Sequence, residues 1–167
     1  LRSDRGGEFC SAEMKSFCEE RGVIHELSAP YSPSQNGVAE RRQRTLVESA
    51  RCMLLASGLP RKLWTEALAA AAHISNKAPT SALDGMTPHE RWFGHAPNVG
   101  YLRVFGCVSF GLIPKRDRRK LDPKSKKYAL VGYGSHSKAY RLYDFDTQTV
   151  IERRDVVFVE GTAACGT

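Results

Sequence analysis

The sequence predicts a mixed α/β fold: a strand–helix–strand–helix unit, then further helices, then a small antiparallel barrel or meander. Three observations predict it. Apolar residues recur at helical spacing in bounded segments through the first half of the chain. From Tyr101 onward the pattern turns to short runs rich in Val, Tyr and Phe. Glycines, prolines and capping side chains stand where helices should start and stop.

In chain order, "LRS" reads as the end of a strand, and Asp4 follows it in a turn with Gly6 and Gly7. "CSAEMKSFCEERG" sets Met14, Phe17 and Cys18 on one helical face, with Ser11 as N-cap and Gly22 closing the helix. "VIHEL" is a short strand, and "SAPYSPSQNG", with its prolines, serines, asparagine and glycine, is a loop. From Val38, "VAERRQRTLVESARCMLLASG" forms a long amphipathic helix with Leu46, Val47, Ala50, Met53 and Leu54 on its apolar face. Glu40, Arg41 and Arg44 fall away from that stripe, and Gly58 and Pro60 end the helix. A second helix, Lys62 to Lys77, presents Leu63, Trp64, Ala67, Leu68 and Ala71 for packing, and Thr87 with Glu90 caps a short helix in "TPHERWFG". The strands come from "YLRVFGCVSFGLI", "KYALVGYG", "KAYRLYDF" and "TVIERRDVVFV", and "GTAACGT" reads as an unstructured end.

The 167 residues suit one ordinary domain, or one small domain with part of another, and a start at Leu1 rather than Met reads as a piece of something longer. A mean hydropathy of -0.40 fits a soluble globular chain, and no apolar run reaches the roughly 18 residues that span a bilayer, so no membrane partner is expected. Five scattered cysteines without a C-x-x-C pair argue for reduced thiols and against a disulfide framework. Neither they nor the five histidines show zinc-ligand spacing, so no zinc is expected in this segment.

The net charge of +7 is unevenly spread. Residues 1–37 carry four basic and six acidic side chains, residues 38–62 six and two, and residues 115–127, "KRDRRKLDPKSKK", eight and two. Two basic segments flanking a near-neutral middle fit contacts to a polyanion, and equally a solvated lysine-rich loop. The candidate cations are Arg41 and Arg44 on the long helix, and Lys115, Arg116, Arg118, Arg119, Lys120, Lys124, Lys126 and Lys127 in the second segment. That segment also fits a nuclear-import signal, so nucleus and cytoplasm are the expected locations.

If "LRS" ends a strand, Asp4 lies beyond its carboxyl end, where α/β units form ligand sites, and the loop at 28–37 returns the long helix toward the same edge. Thirty-five residues separate Asp4 from Glu40 in the first turn of that helix. Two carboxylates beside a basic surface fit Mg²⁺-assisted phosphoryl transfer, because the ion takes hard oxygen ligands and the cations hold phosphates. Asp4 also fits an ordinary turn and Glu40 a carboxylate near a helix N-terminus, both the commoner use of such residues, and spacing leaves the readings open.

"SDRGGEF", "GVIHELSAPYSPSQNGVAERRQRTLVESARCML" and the separation of Asp4 from Glu40 resemble the integrase of copia-type long-terminal-repeat retrotransposons. The likeness continues through "LWTEALAAAAHISNKAPT" and "TPHERWFGHAPNVGYLRVFGC" to "KLDPKSKKYALVGYGSHSKAYRLYDFDTQTVIERRDVVFVE", about residues 1–160. The resemblance implies a partial RNase H-like core, lacking its first strands, over residues 1–60. A helical connecting region over 61–100, an SH3-like β-barrel over 101–160 and a disordered tail over 161–167 follow. It implies a polynucleotidyl transferase that processes DNA 3′ ends and joins them to a target through three carboxylates and two Mg²⁺ or Mn²⁺ ions. Asp4 matches the second Asp and Glu40 the Glu, both catalytic and metal-binding. Gln35 and Asn36, with Pro33 and Gly37, match the active-site loop, and Arg44 a position that contacts element-end DNA. Val47, where retroviral relatives often carry lysine, is expected to pack. In the family the first Asp and a zinc domain precede the matched segment, so this chain alone is expected to be catalytically incomplete. DNA, as element ends and target, is the implied partner, RNA a second class, and the full-length form is expected to be a homo-oligomer. A non-catalytic nucleic-acid-binding module from a truncated copy is the alternative.

Overall fold

The computed structural model describes residues 1–3, 5–29, 37–134 and 138–164. The chain divides into two compact units, residues 1–45 and 46–167.

In the first unit, β1 (Arg2–Ser3) and β2 (Glu26–Leu27) pair in parallel across the crossover helix α1 (Ala12–Glu20), with Arg2 opposite Glu26 and Ser3 opposite Leu27. The caps of α1 are those the sequence predicts. The Ser11 hydroxyl accepts from the Met14 amide at 3.2 Å, and Gly22 takes a left-handed φ of 61°. The expected strand over "VIHEL" shrinks to its last two residues. Ile24 is 80% exposed, and its carbonyl accepts a hydrogen bond from the Leu1 ammonium at 2.8 Å. A two-residue parallel pair offers no sheet face on which alternating apolar side chains could be buried. Of the helical face Met14, Phe17 and Cys18, only Cys18 is buried, and Phe17 is 49% exposed.

The division between the units falls within α2 (Gly37–Ser57). In the second unit, a 3₁₀ turn at Arg61–Leu63 leads into α3 (Trp64–Ser75), and α4 (Pro88–Phe93) follows. Ala50 of α2 meets Ala67 and Ala71 of α3, with Leu46, Met53, Leu54, Leu68 and Phe105 packed around them. Small side chains at the crossing let the backbones approach closely. Two residues expected to pack, Val47 and Trp64, are instead exposed. Val47 is 51% exposed because the stripe runs through Leu46, Ala50 and Met53, and Val47 lies a helical step to one side. Trp64 is 58% exposed because Leu63, closing the 3₁₀ turn, takes the core position and the next residue is rotated outward. The α4 cap agrees with its sequence: the Thr87 hydroxyl accepts from the Glu90 amide at 3.0 Å, and Gly94 ends the helix at φ 77°.

The rest of the unit is a five-stranded antiparallel sheet: β3 (Cys107–Leu112), β4 (Ser125–Tyr133), β5 (Tyr140–Tyr143), β6 (Val150–Arg153) and β7 (Val156–Ala163). Its spatial order is β6-β5-β4-β3-β7, so β3 to β6 form a meander and β7 returns beside β3. The run "TVIERRDVVFV" supplies two strands, since Arg154–Asp155 turns the chain between β6 and β7. The strand β7 continues through Gly161 to Ala163, where the sequence reading begins a tail. Ala163 is in register with Cys107, and the Ala164 amide donates to the Gly106 carbonyl at 2.9 Å. Gly161, at φ 96°, allows the irregular backbone that this continuation needs.

Strand β4 is buried on both faces, with Ala129, Leu130 and Val131 each at 0% exposure. Val108, Ala129, Val131 and Tyr143 pack with Leu59 and Leu63 on one side, while Cys107, Tyr128, Leu130 and Leu142 form a second cluster on the other. A doubly covered strand reads as a continuous apolar run, as "YALV" does. Helix and sheet are tied by a bidentate pair: Arg141 of β5 donates to the two Glu66 carboxylate oxygens of α3 at 2.7 and 2.6 Å. No helix among the described residues is long and apolar enough to cross a membrane.

Candidate nucleic-acid interface

Glu40, Arg41 and Arg44 lie in the first two turns of α2, and all three are exposed. Exposure follows from the helical period, which puts them away from the Leu46–Ala50 stripe. An exposed carboxylate is a hard oxygen donor of the type that Mg²⁺ and Mn²⁺ take, so Glu40 fits that chemistry. Asp4, Pro33, Gln35 and Asn36 lie outside the described residues. Asp4 immediately follows Ser3, the last residue of β1. Among the described residues no group of three His, Cys, Asp or Glu side chains is placed to hold a metal ion.

Residues 115–124 of the second basic segment lie in the connection from β3 to β4, and Lys126 and Lys127 lie on β4 itself. Pro114 opens a 3₁₀ turn at Lys115–Asp117, the Asp122 carboxylate accepts from the Arg119 amide at 2.7 Å, and the Ile113 amide donates to the Lys124 carbonyl at 2.9 Å. These backbone bonds hold the connection while Lys115, Arg119, Lys120, Lys124 and Lys127 remain exposed. Arg116 pairs with Asp117 at 3.5 Å, an exposed contact worth little in water. Arg118 is half-buried, and its Nε is covered without a hydrogen-bond partner.

Lys126 is the exception among the predicted cations. Its ammonium donates to Asp144 at 2.7 Å and lies 2.8 Å from Asp146, so its charge is already neutralised inside the fold. Hydrogen bonds to Asp144 and then Asp146 hold its pKa above the ordinary lysine range. For Asp144, burial alone would raise the pKa. The Lys126 hydrogen bond and the Asp146 and Thr147 amides outweigh it and hold the carboxyl below its usual range. Lys126 is thus a staple between β4 and the turn after β5, at a site where a charge count reads a phosphate contact.

A second group of polar rings sits between α3 and the sheet. His73 accepts from or donates to the Tyr101 hydroxyl at 2.7 Å and stacks on Tyr133 with centroids 4.6 Å apart. The Tyr133 hydroxyl donates to the Arg103 carbonyl at 3.0 Å, and Tyr140 donates to the Tyr101 carbonyl at 3.1 Å. Burial, with Lys77 assisting, pushes the His73 pKa below its ordinary value, and burial raises those of Tyr101 and Tyr133. The rings border a cavity of about 530 Å³, but these polar tips are spent on one another and on backbone, which makes the group a half-buried brace.

Residues 107–166 match the family model described as the retroviral polymerase SH3-like domain. The chain is 42% identical over 160 residues to the retrovirus-related Pol polyprotein from transposon TNT 1-94 of Nicotiana tabacum, covering 96% of this chain and 12% of that protein. It is 34% identical over 160 residues to the corresponding polyprotein from transposon RE2 of Arabidopsis thaliana, covering 96% and 11%. An uncharacterized mitochondrial protein of A. thaliana is 42% identical over 84 residues, half of this chain and 68% of that one. The chain therefore spans about a tenth of the length of the polyproteins it matches, at 12% and 11%.

Proposed function

The chain belongs to the copia-type retrotransposon Pol polyproteins, and on that premise we propose that it is the part of the integrase carrying the second half of an RNase H-like core and the SH3-like domain. The observation that supports this most is the parallel pairing of β1 and β2 across α1, with Asp4 next after β1 and Glu40 exposed on the first turn of α2. In such a unit both strands point their carboxyl ends to one edge, where ligand sites form. Asp4 and Glu40 would hold Mg²⁺ or Mn²⁺ through carboxylate oxygens, and such an ion supplies activation of a water or DNA 3′-hydroxyl and charge relief at the leaving 3′-oxygen. The chain's own groups bind and orient DNA: Gln35 and Asn36, and Arg41 and Arg44 along α2. Two of the family's three carboxylates are matched in these residues, so strand transfer is proposed for the whole integrase, acting as a homo-oligomer in the nucleus.

The test is Mn²⁺ titration of the isotopically labelled chain. Paramagnetic broadening is expected together at amides flanking Asp4 and Glu40, and Glu40→Gln should reduce it at both, with the same substitution abolishing strand transfer in an integrase that contains this chain. Broadening confined to one of the two segments would separate the carboxylates and remove the shared site.

The exposed cations of the β3–β4 connection favour a second reading, a non-catalytic module that holds DNA or RNA by its phosphates. Duplex affinity is then expected to fall steeply with salt, log K dropping by about 0.9 per tenfold salt for each phosphate neutralised. Lys126→Ala should leave that slope unchanged, whereas Lys124→Ala should lower it by about one contact. A flat salt dependence would sink this reading.

A further inference from the structure

Helix α4 buries neither of its large rings: Trp92 is 83% exposed and Phe93 59%. The Phe93 ring lies 4.7 Å from that of His89, and His89 lies 5.3 Å from His95, so a series of flat rings continues past the end of the helix. Beside them is a cleft of about 360 Å³ whose walls include Lys77, Pro88, His89, Trp92 and Phe93, with no carboxylate among its lining residues. A ring this exposed forgoes the burial that tryptophan ordinarily finds, and flat apolar faces with a lysine alongside complement a polyanion that carries flat apolar groups.

We propose that this surface is a binding site for single-stranded DNA, on which an unpaired base stacks against Trp92 while Lys77 faces the phosphates. A duplex hides its base faces in its own stack, so only unpaired bases can use an exposed ring. The assignment rests on the nucleic-acid reading above for the class of partner alone. It needs neither the carboxylates nor the β3–β4 connection.

The chain holds two tryptophans, so in a Trp64→Phe background Trp92 is the sole indole fluorophore. Oligothymidylate is expected to quench it saturably, whereas an abasic strand of equal length, with the phosphates but no bases, should not. Trp92→Ala should weaken oligothymidylate binding about tenfold, measured by anisotropy of a labelled strand, and leave duplex affinity and its salt slope unchanged. Trp92→Phe, which keeps a ring, should retain most of the affinity, separating stacking from misfolding. Equal quenching by the abasic strand, equal losses for single strand and duplex, or a response to oligouridylate alone would each overturn the assignment. Duplex binding with the expected salt slope but no quenching would defeat this proposal and leave the preceding readings standing.

Discussion

Gly106→Ala is expected to destabilise the second unit by about 3 kcal/mol or more, read as a fall in the urea midpoint with little change in slope. Gly106 stands just before β3 at φ 79°, where an L side chain is strained by roughly 1–2 kcal/mol. Space is the larger obstacle. A Cβ there would lie 2.2 Å from the Cβ of Ser57 and 3.3 Å from its Cα, at the end of α2. Backbone cannot swing away as a side-chain tip can. Ser57 is 3% exposed and its hydroxyl donates to the Leu54 carbonyl, so the helix end is itself held. The glycine is anchored too: its amide donates to Leu130 at 2.7 Å. Ser57→Gly removes the nearest atom, and in that background Gly106→Ala should cost the backbone strain and the remaining tight contact with the residue 57 Cα, well below its cost in the parent. Additive losses in the double variant would refute the steric account.

Asp144→Ala is expected to cost roughly 2–3 kcal/mol at neutral pH and to flatten the acid limb of the stability profile. The carboxylate is 5% exposed and accepts from Lys126, from the Asp146 amide at 2.9 Å and from the Thr147 amide at 3.5 Å. Its removal strands two amides at the β5–β6 turn and leaves Lys126 with the exposed Asp146 alone. Because the folded state depresses the Asp144 pKa, its contribution is complete above the unfolded carboxylate value of about 4 and is lost as pH falls through the folded one. Lys126 runs the opposite way: raised in the fold, its contribution is complete below about 10.4 and is lost as pH rises through the folded value. Thermal melts across pH should show a plateau between these limits, with a shallower acid limb in the variant. An acid limb identical to that of the parent would show that Asp144 does not titrate with folding.

Local chemistry carried most of the readings that agree with the structure. Ser11, Thr87, Gly22 and Gly94 cap helices through bonds spanning three or four residues, and such contacts depend on little beyond their neighbours. The apolar run through Tyr128 to Val131 marks a strand covered on both faces whatever covers it. The readings that needed revision each depended on a partner distant in the chain. Val47 and Trp64 have helical spacing suited to burial, yet the crossing of α2 on α3 at Ala50, Ala67 and Ala71 leaves them outside. Lys126 lies in a run of cations that reads as one patch, and Asp144, brought near by the pairing of β4 with β5, takes it out.

The sequence by itself determined where the main helices and the strands of the five-stranded sheet lie, how the capped helices end, and which charges the chain carries, because propensity, capping and hydropathic period act over a few residues. Its motifs also placed the chain in its family. The tertiary structure alone decided which of those charges are paired inside the fold, which apolar faces meet, and that position 106 needs a glycine against the end of α2. Those outcomes depend on strand register and helix crossing, which bring together groups far apart in the chain and leave no trace in local sequence.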